Sequence, residues 1–202
     1  MHVRFATMLA TASLFALPAA ASSQQKTRFA SLDQAVEASS VLSGRSGPRD
    51  VNWIDGGDRF SYIETDSLSH QQVIRRFDPA TGRDTLLFTA AGLTFPDTSA
   101  PFEYDSFQWA KDSKHLVFQT GFKRLYRRSG TSNFYVYTLA DRSLQLAARN
   151  ARTAELSPDG SMLGYERDGD MFVYDLAGKQ ETRLTHDATK TLFNGHFDWV
   201  YE

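Results

Sequence analysis

The fold is decided by "LSPDGSMLGYERDGDMFVYDLAGK", Leu156 to Lys179. It opens on an apolar anchor, Leu156, and a polar turn, Ser157-Pro158-Asp159-Gly160. Pro at the second position and Gly at the fourth suit a type I turn. An alternating strand follows, Leu163–Glu166, and Asp168-Gly169 joins it to a second, Met171–Tyr174. Asp-Gly favours a two-residue hairpin turn because both central residues need positive φ. The second strand ends on an aromatic before an acid, Tyr174-Asp175, and then turns again.

Working outward, the same order of anchor, turn and strand occurs twice upstream. "WIDGGDRFSYI" runs from Trp53 to Ile63 and "WAKDSKHLVFQ" from Trp109 to Gln119. Their turns are Asp55-Gly56-Gly57-Asp58 and Lys111-Asp112-Ser113-Lys114. Each is followed by a second strand and turn, "VIRRFDPATGR" from Val73 and "FYVYTLADRS" from Phe134. Here too an aromatic precedes a polar or acidic residue, at Phe77-Asp78 and Tyr137-Thr138. The anchors recur roughly every 50 residues, the period of propeller blades of four strands. The expected fold is therefore all-β, a partial β-propeller of four-stranded antiparallel blades. A plain sandwich or barrel is the alternative, and the repeated turn chemistry favours the propeller.

Residues 51–202 hold about three blades and the start of another, whereas closed propellers use roughly four to eight. The ring does not close within this length, which predicts a fragment or the start of a longer protein. Ahead of the blades, Ser31-Leu32-Asp33-Gln34 has the spacing of a capping box, with a short helix over Leu32–Ser39. "SGRSGPRD", Ser43 to Asp50, then leads into the first blade. Residues 22–50 thus form an N-terminal helix and linker.

The first 21 residues read as a signal peptide. Arg4 supplies positive charge, Phe5–Leu17 is apolar, and Pro18-Ala19-Ala20-Ala21-Ser22 offers small residues for cleavage. Roughly 20 apolar residues are needed to span a bilayer, so this stretch is too short for an anchor. The expected location is periplasmic or secreted. The chain has no Cys, which excludes a disulfide framework and thiol catalysis. A formal charge of −2 gives no basic surface for nucleic acid. Fifteen Phe and eight Tyr favour strands over helices.

No G-x-S-x-G elbow, P-loop or H-E-x-x-H occurs, so no catalytic residue is assigned. His186-Asp187 and His196-Phe197-Asp198 lack a third ligand at zinc-like spacing, so neither a metal nor a cofactor is expected. His115 follows a turn and reads as an ordinary surface residue. The second repeat departs from the pattern: in place of a two-residue turn it inserts "GFKRLYRRSGTSN", Gly121 to Asn133. Lys123, Arg124, Arg127 and Arg128 surround Leu125 and Tyr126. Loops on a rigid scaffold concentrate function, and the fixed fork of Arg suits carboxylates and carbonyls. A solvated basic loop or an inter-subunit contact is the plainer reading of the same residues.

"FNGHFDWVYE", Phe193 to Glu202, resembles the glutamate motif of the dipeptidyl peptidase IV family. These are serine exopeptidases of the prolyl oligopeptidase superfamily, whose motif runs Asp-Trp-Val-Tyr and then three glutamates. The resemblance covers about Asn52 to Glu202. It implies an eight-bladed propeller followed by an α/β-hydrolase domain carrying Ser, Asp and His. The second and third glutamates of the family hold the free N-terminal amine of the substrate, and Glu202 matches the first. The implied substrate-binding residues here are Glu202 and Arg127. Arg127 falls, with Tyr126, on an aromatic-arginine pair of the family whose Arg contacts the substrate carbonyl and the glutamates. Arg128 is one residue away in register. The implied partners are peptides with a free N-terminus and the hydrolase domain, and a homodimer stays open.

This chain alone is expected to be inactive as a peptidase. The rival is a non-enzymatic periplasmic β-propeller that binds a protein partner through its loops. Sequencing the coding region beyond the Glu202 codon separates them. We expect two further glutamates and, later, a G-x-S-x-G; blades alone would favour the binding module.

Overall fold

A computed structural model of the chain describes residues 29–42, 47–67 and 70–197. Residues 1–21, read above as a signal peptide, and Asp198–Glu202 lie outside the described residues. The chain divides into two units, Met1–Arg45 and Ser46–Glu202. The first contains α1 (Leu32–Leu42), longer than the expected span. The Ser31 hydroxyl accepts the Gln34 N–H at 3.1 Å, as an N-cap should. The returning bond differs: Gln34 Oε1 accepts from Ala30 N–H, one residue before the cap. Among the described residues no helix is long and apolar enough to cross a membrane.

Among the described residues the second unit is three four-stranded antiparallel sheets, each in sequential order. Blade one is β1 (Arg49–Ile54), β2 (Arg59–Thr65), β3 (Gln72–Asp78) and β4 (Arg83–Thr89). Blade two is β5 (Ser106–Trp109), β6 (His115–Arg124), β7 (Gly130–Thr138) and β8 (Ser143–Ala151). Blade three is β9 (Ala154–Leu156), β10 (Met162–Arg167), β11 (Asp170–Asp175) and β12 (Gln180–Arg183).

The repeat is a repeat of register. Each anchor faces the same place on its neighbour: Trp53 pairs with Phe60, Trp109 with Leu116 and Leu156 with Leu163. One strand further, Phe60 pairs with Phe77, Leu116 with Tyr137 and Leu163 with Tyr174. The aromatic before each acidic or polar residue therefore has one structural position in all three blades. That coincidence of pairing identifies partial propeller blades rather than an irregular sandwich. In blade three Arg167 pairs with Asp170 across Asp168 (φ 55) and Gly169 (φ 85), the two-residue turn the sequence predicted.

Side chains alternate across a strand, so a sheet buried on both faces must be apolar at consecutive positions. Leu116, Val117 and Phe118 of β6 are all buried, and so are Phe134–Tyr137 of β7. Leu116, Phe118, Tyr135 and Tyr137 join Ile74 and Phe88 of blade one and the connecting Phe102. Val117, Phe134 and Val136 join Leu156, Leu163, Tyr165 and Phe172 of blade three. The first seam is aromatic: Phe118 lies 4.6 Å from Phe88, 4.7 Å from Tyr104 and 5.4 Å from Phe102, centroid to centroid. The second is lined by Ala147, Ala148 and Ala151 of β8.

Polar contacts cross the same seams. Trp109 Nε1 donates to the buried Ser61 Oγ at 2.7 Å, and the Asp55 N–H donates to Ser113 Oγ at 3.0 Å. Trp53, the equivalent of Trp109, is 64% exposed. His115 is not the surface residue its sequence suggests. Its ring is 18% exposed and its Nδ1 lies 2.6 Å from Asp112 Oδ2. Asp112 Oδ1 also accepts the backbone N–H groups of Lys114 and His115, so the turn is built around this carboxylate.

Truncating a fully packed aromatic removes contacts that the surroundings recover only in part. Phe118→Ala should lower the unfolding free energy by about 3–5 kcal/mol. Trp53→Ala, at an exposed ring, should cost less than about 1 kcal/mol. Urea unfolding of both variants is the check; equal losses would mean that the aromatic seam does not hold the blades together.

Candidate functional site

The inserted stretch of blade two is mostly hairpin. β6 and β7 stay paired through Lys123 with Thr131 and Arg124 with Gly130, past an irregularity after Thr120. Extending the ladder satisfies backbone groups that a thirteen-residue excursion would leave to solvent. Only Leu125–Ser129 remains as a loop. Leu125 and Tyr126 both donate backbone N–H bonds to the Ser129 carbonyl, at 2.9 and 3.2 Å. Asp105 Oδ2 accepts the Phe122 N–H at 2.8 Å and fixes the base of the extension.

Arg127 sits on this loop and is exposed. It has no hydrogen-bond or ion-pair partner among the described residues. Two clefts open beside it, sharing Arg152, His196 and Phe197. One takes in Leu125, Tyr126 and Glu166, the other Phe122, Arg128 and Gly195. Arg127 lies between Tyr126 and Arg128 in the chain but lines neither cleft. Glu202 lies outside the described residues, so no distance relates it to Arg127. The geometry does bring the Arg127 loop and the Asn194–Phe197 segment, which leads to Glu202, to the same clefts.

Between loop and segment lies a buried ionic cluster. Arg152 Nη2 donates to Ser129 Oγ at 3.1 Å and so ties down the loop. Its Nε lies 4.0 Å from Glu166 Oε2, with the two side chains 13% and 1% exposed. The backbones of the pair are joined as well, Arg152 N–H to the Glu166 carbonyl at 2.9 Å. Glu166 Oε1 accepts the Gly169 N–H and lies 3.6 Å from His196 Nδ1. Among the described residues neither Glu166 Oε2 nor His196 Nδ1 has a hydrogen-bond partner. A buried carboxylate is tolerated only beside compensating charge, and Arg152 supplies it.

The second buried acid, Asp170, begins β11. The Thr185 hydroxyl donates to its Oδ1 at 2.7 Å and Asn194 Nδ2 at 3.2 Å, while the Arg183 guanidinium bonds Oδ2. The Thr185 bond, opposed by desolvation and reinforced by Arg183, holds the Asp170 carboxyl below the usual carboxylate range. Asn194 also donates its backbone N–H to the Gly169 carbonyl at 2.8 Å. The rings of Phe193 and His196 pack at 4.6 Å. The arrangement can present a basic loop and an ordered chain segment to one ligand, but the described residues hold no assembled nucleophile and base.

Residues 110–202 match the family described as the dipeptidyl peptidase IV (DPP IV) N-terminal region. Over this stretch the chain is similar to the dipeptidyl peptidase IV family. The chain is similar to a Schizosaccharomyces pombe protein described as a dipeptidyl aminopeptidase, with 27% identity over 159 residues, 76% of this chain. It is also similar to dipeptidyl aminopeptidase B of Saccharomyces cerevisiae, 29% identical over 112 residues and 55% of this chain. It spans only 19% and 14% of those relatives' lengths. The crystal structure of dipeptidyl peptidase 4 from Porphyromonas gingivalis superposes with a TM-score of 0.60 at 20% identity. That superposition covers 88% of this chain and 25% of the other, and it supports the propeller fold.

Sequence reasoning missed Arg152, Glu166 and Asp170. Glu166 carries no signal, because it directly follows the buried Tyr165 and period-two alternation would turn it outward. Asp170 has a faint one, a carboxylate immediately after a tight Asp-Gly turn. A depressed folded pKa contributes stability that is full above the ordinary carboxylate range and is lost as pH falls through the folded value. Asp170→Asn should therefore flatten the acid limb of the unfolding midpoint plotted against pH. A variant whose acid limb matches the wild type would show that Asp170 carries none of that dependence.

Proposed function

We propose that this chain is the N-terminal, substrate-gripping propeller part of an exported, dipeptidyl peptidase IV-like serine exopeptidase that releases N-terminal dipeptides. The observation that carries the reading is the meeting of two chain segments at one pair of clefts. Tyr126 and Arg128 approach from blade two, and Gly195–Phe197, leading to Asp198-Trp199-Val200-Tyr201-Glu202, from blade three. The signal-like first 21 residues support export to the periplasm or the exterior.

The chemistry is that of a charge-reading ruler. A peptide α-amine has a pKa of about 7.7–8 and is largely cationic at neutral pH. The two carboxylates that the family motif sets after Glu202 bind it through charge-assisted hydrogen bonds. A substrate with a blocked amine leaves those carboxylates unpaired in a desolvated site, which is heavily penalised. Arg127 orients the substrate through its carbonyl and offsets the clustered negative charge. Cleavage falls a fixed distance away, after the second residue, at a nucleophile supplied by a C-terminal α/β-hydrolase domain.

Removing a charged hydrogen-bond donor from a substrate carbonyl weakens binding by about tenfold or more. In the complete enzyme Arg127→Ala should raise KM for dipeptidyl substrates by that factor. Steady-state kinetics on a chromogenic dipeptide are the check, and unchanged constants would remove Arg127 from the site.

A further inference from the structure

Asn194 and Gly195 are each required by what surrounds them. The Asn194 backbone N–H donates to the Gly169 carbonyl at 2.8 Å. Its Nδ2 donates to Oδ1 of the buried Asp170 at 3.2 Å and to Oδ1 of the exposed Asp187 at 3.0 Å. An amide is the side chain that offers donors to two carboxylates without adding charge. Gly195 has φ +88, and a Cβ there would collide with Met171 Sδ and touch Glu166 Cβ at 3.5 Å. Only glycine lets the chain pass this close to β11. The fold thus sets an amide directly before the one residue type whose backbone nitrogen no side chain shields.

That pair is chemically labile. The Gly195 nitrogen, on losing its proton to base, can attack Asn194 Cγ. The N–Cγ bond forms, the Cγ–Nδ2 bond breaks, and Nδ2 takes up a proton and departs as ammonia. Water then opens the cyclic imide at either carbonyl, which leaves aspartate or its β-linked isomer at position 194.

We propose that Asn194-Gly195 is a spontaneous deamidation site, gated by its contacts with Gly169, Asp170 and Asp187 and closed to return once it has reacted. The gate follows from the leaving group: Nδ2 cannot depart until its bonds to Asp170 and Asp187 break, so reaction proceeds through local opening of the segment. The lack of return follows from charge. The product puts a carboxylate where an amide donated, facing Asp170 and Asp187 with like charge and no donor. The β-linked isomer also inserts a carbon into the main chain and moves Gly195 off Met171. His196 and Phe197 line both clefts beside the Arg127 loop and Gly195 lines one, so reaction at position 194 unmakes their walls. This holds whatever the clefts bind and does not rest on the proposed function.

The test follows residue 194 of the complete protein by peptide mapping and mass spectrometry at mildly alkaline pH, with and without denaturing urea. Asn194 should deamidate readily when unfolded and about a hundredfold more slowly when native, because its backbone and side-chain hydrogen bonds hold the segment closed. Asp187→Ala removes the exposed acceptor alone and should speed the native reaction about fivefold. Backbone amides of Phe193–Phe197 should exchange hydrogen at least about tenfold faster in the reacted protein than in the unreacted one. A native rate equal to the unfolded rate, an Asn194 that never reacts in the folded proteins, a folded Asp187→Ala that reacts at the wild-type rate, or exchange unchanged after reaction would each overturn the proposal. The wild-type comparisons need no variant and decide the matter if Asp187→Ala does not fold.

Discussion

A four-stranded blade has two apolar faces and no means of covering either by itself. Everything else in the propeller unit follows from that constraint. Blade two satisfies it on both sides, because Leu116, Phe118, Tyr135 and Tyr137 face blade one while Val117, Phe134 and Val136 face blade three. The two seams are filled differently. Large rings meet edge-on or tilted on one side, a geometry that adds to their burial. Small alanines admit the neighbouring sheet on the other. Hydrogen bonds such as Trp109 to Ser61 then fix the blades in rotation, which apolar contact alone does not specify.

With the blades locked, their turns become fixed points from which function can vary. Equivalent β-hairpins end in a two-residue turn in blade three and in a longer basic loop in blade two. The long loop is held by Ser129 through Arg152, and Arg152 is joined to Glu166, next to the short turn, by a backbone hydrogen bond and a charge contact at 4.0 Å. One buried pair of opposite charges therefore ties together the two features that the dipeptidyl peptidase reading uses. Such a pair adds little net stability, because desolvation offsets most of the attraction. Its value lies in fixing one arrangement of loop and turn.

A great deal of this was legible in the residues. The anchors at Trp53, Trp109 and Leu156 and the aromatic ends at Phe77, Tyr137 and Tyr174 predicted three blades, and the strand pairing places them in equivalent registers. The Asp168-Gly169 turn was readable because only a few residue types tolerate its backbone. Less was legible at the site. The insertion read as a long basic loop, although most of it continues the hairpin, since no local pattern distinguishes an extended ladder from an excursion. His115 read as a surface residue because it follows a polar turn, whereas Asp112 folds back onto it.

By itself the sequence determined the elements and their repeat, because turn chemistry and period-two burial are properties of a few adjacent residues. It also carried the motif from Phe193 to Glu202, which is contiguous. Only the tertiary structure decided which charges meet. Glu166 and Asp170 come from neighbouring strands, Arg152 from the link between β8 and β9 and Asn194 from a coil segment, and nothing local to any one of them names the others. Their pairing depends on how blades stack and where the chain returns, and burial gives each contact its strength.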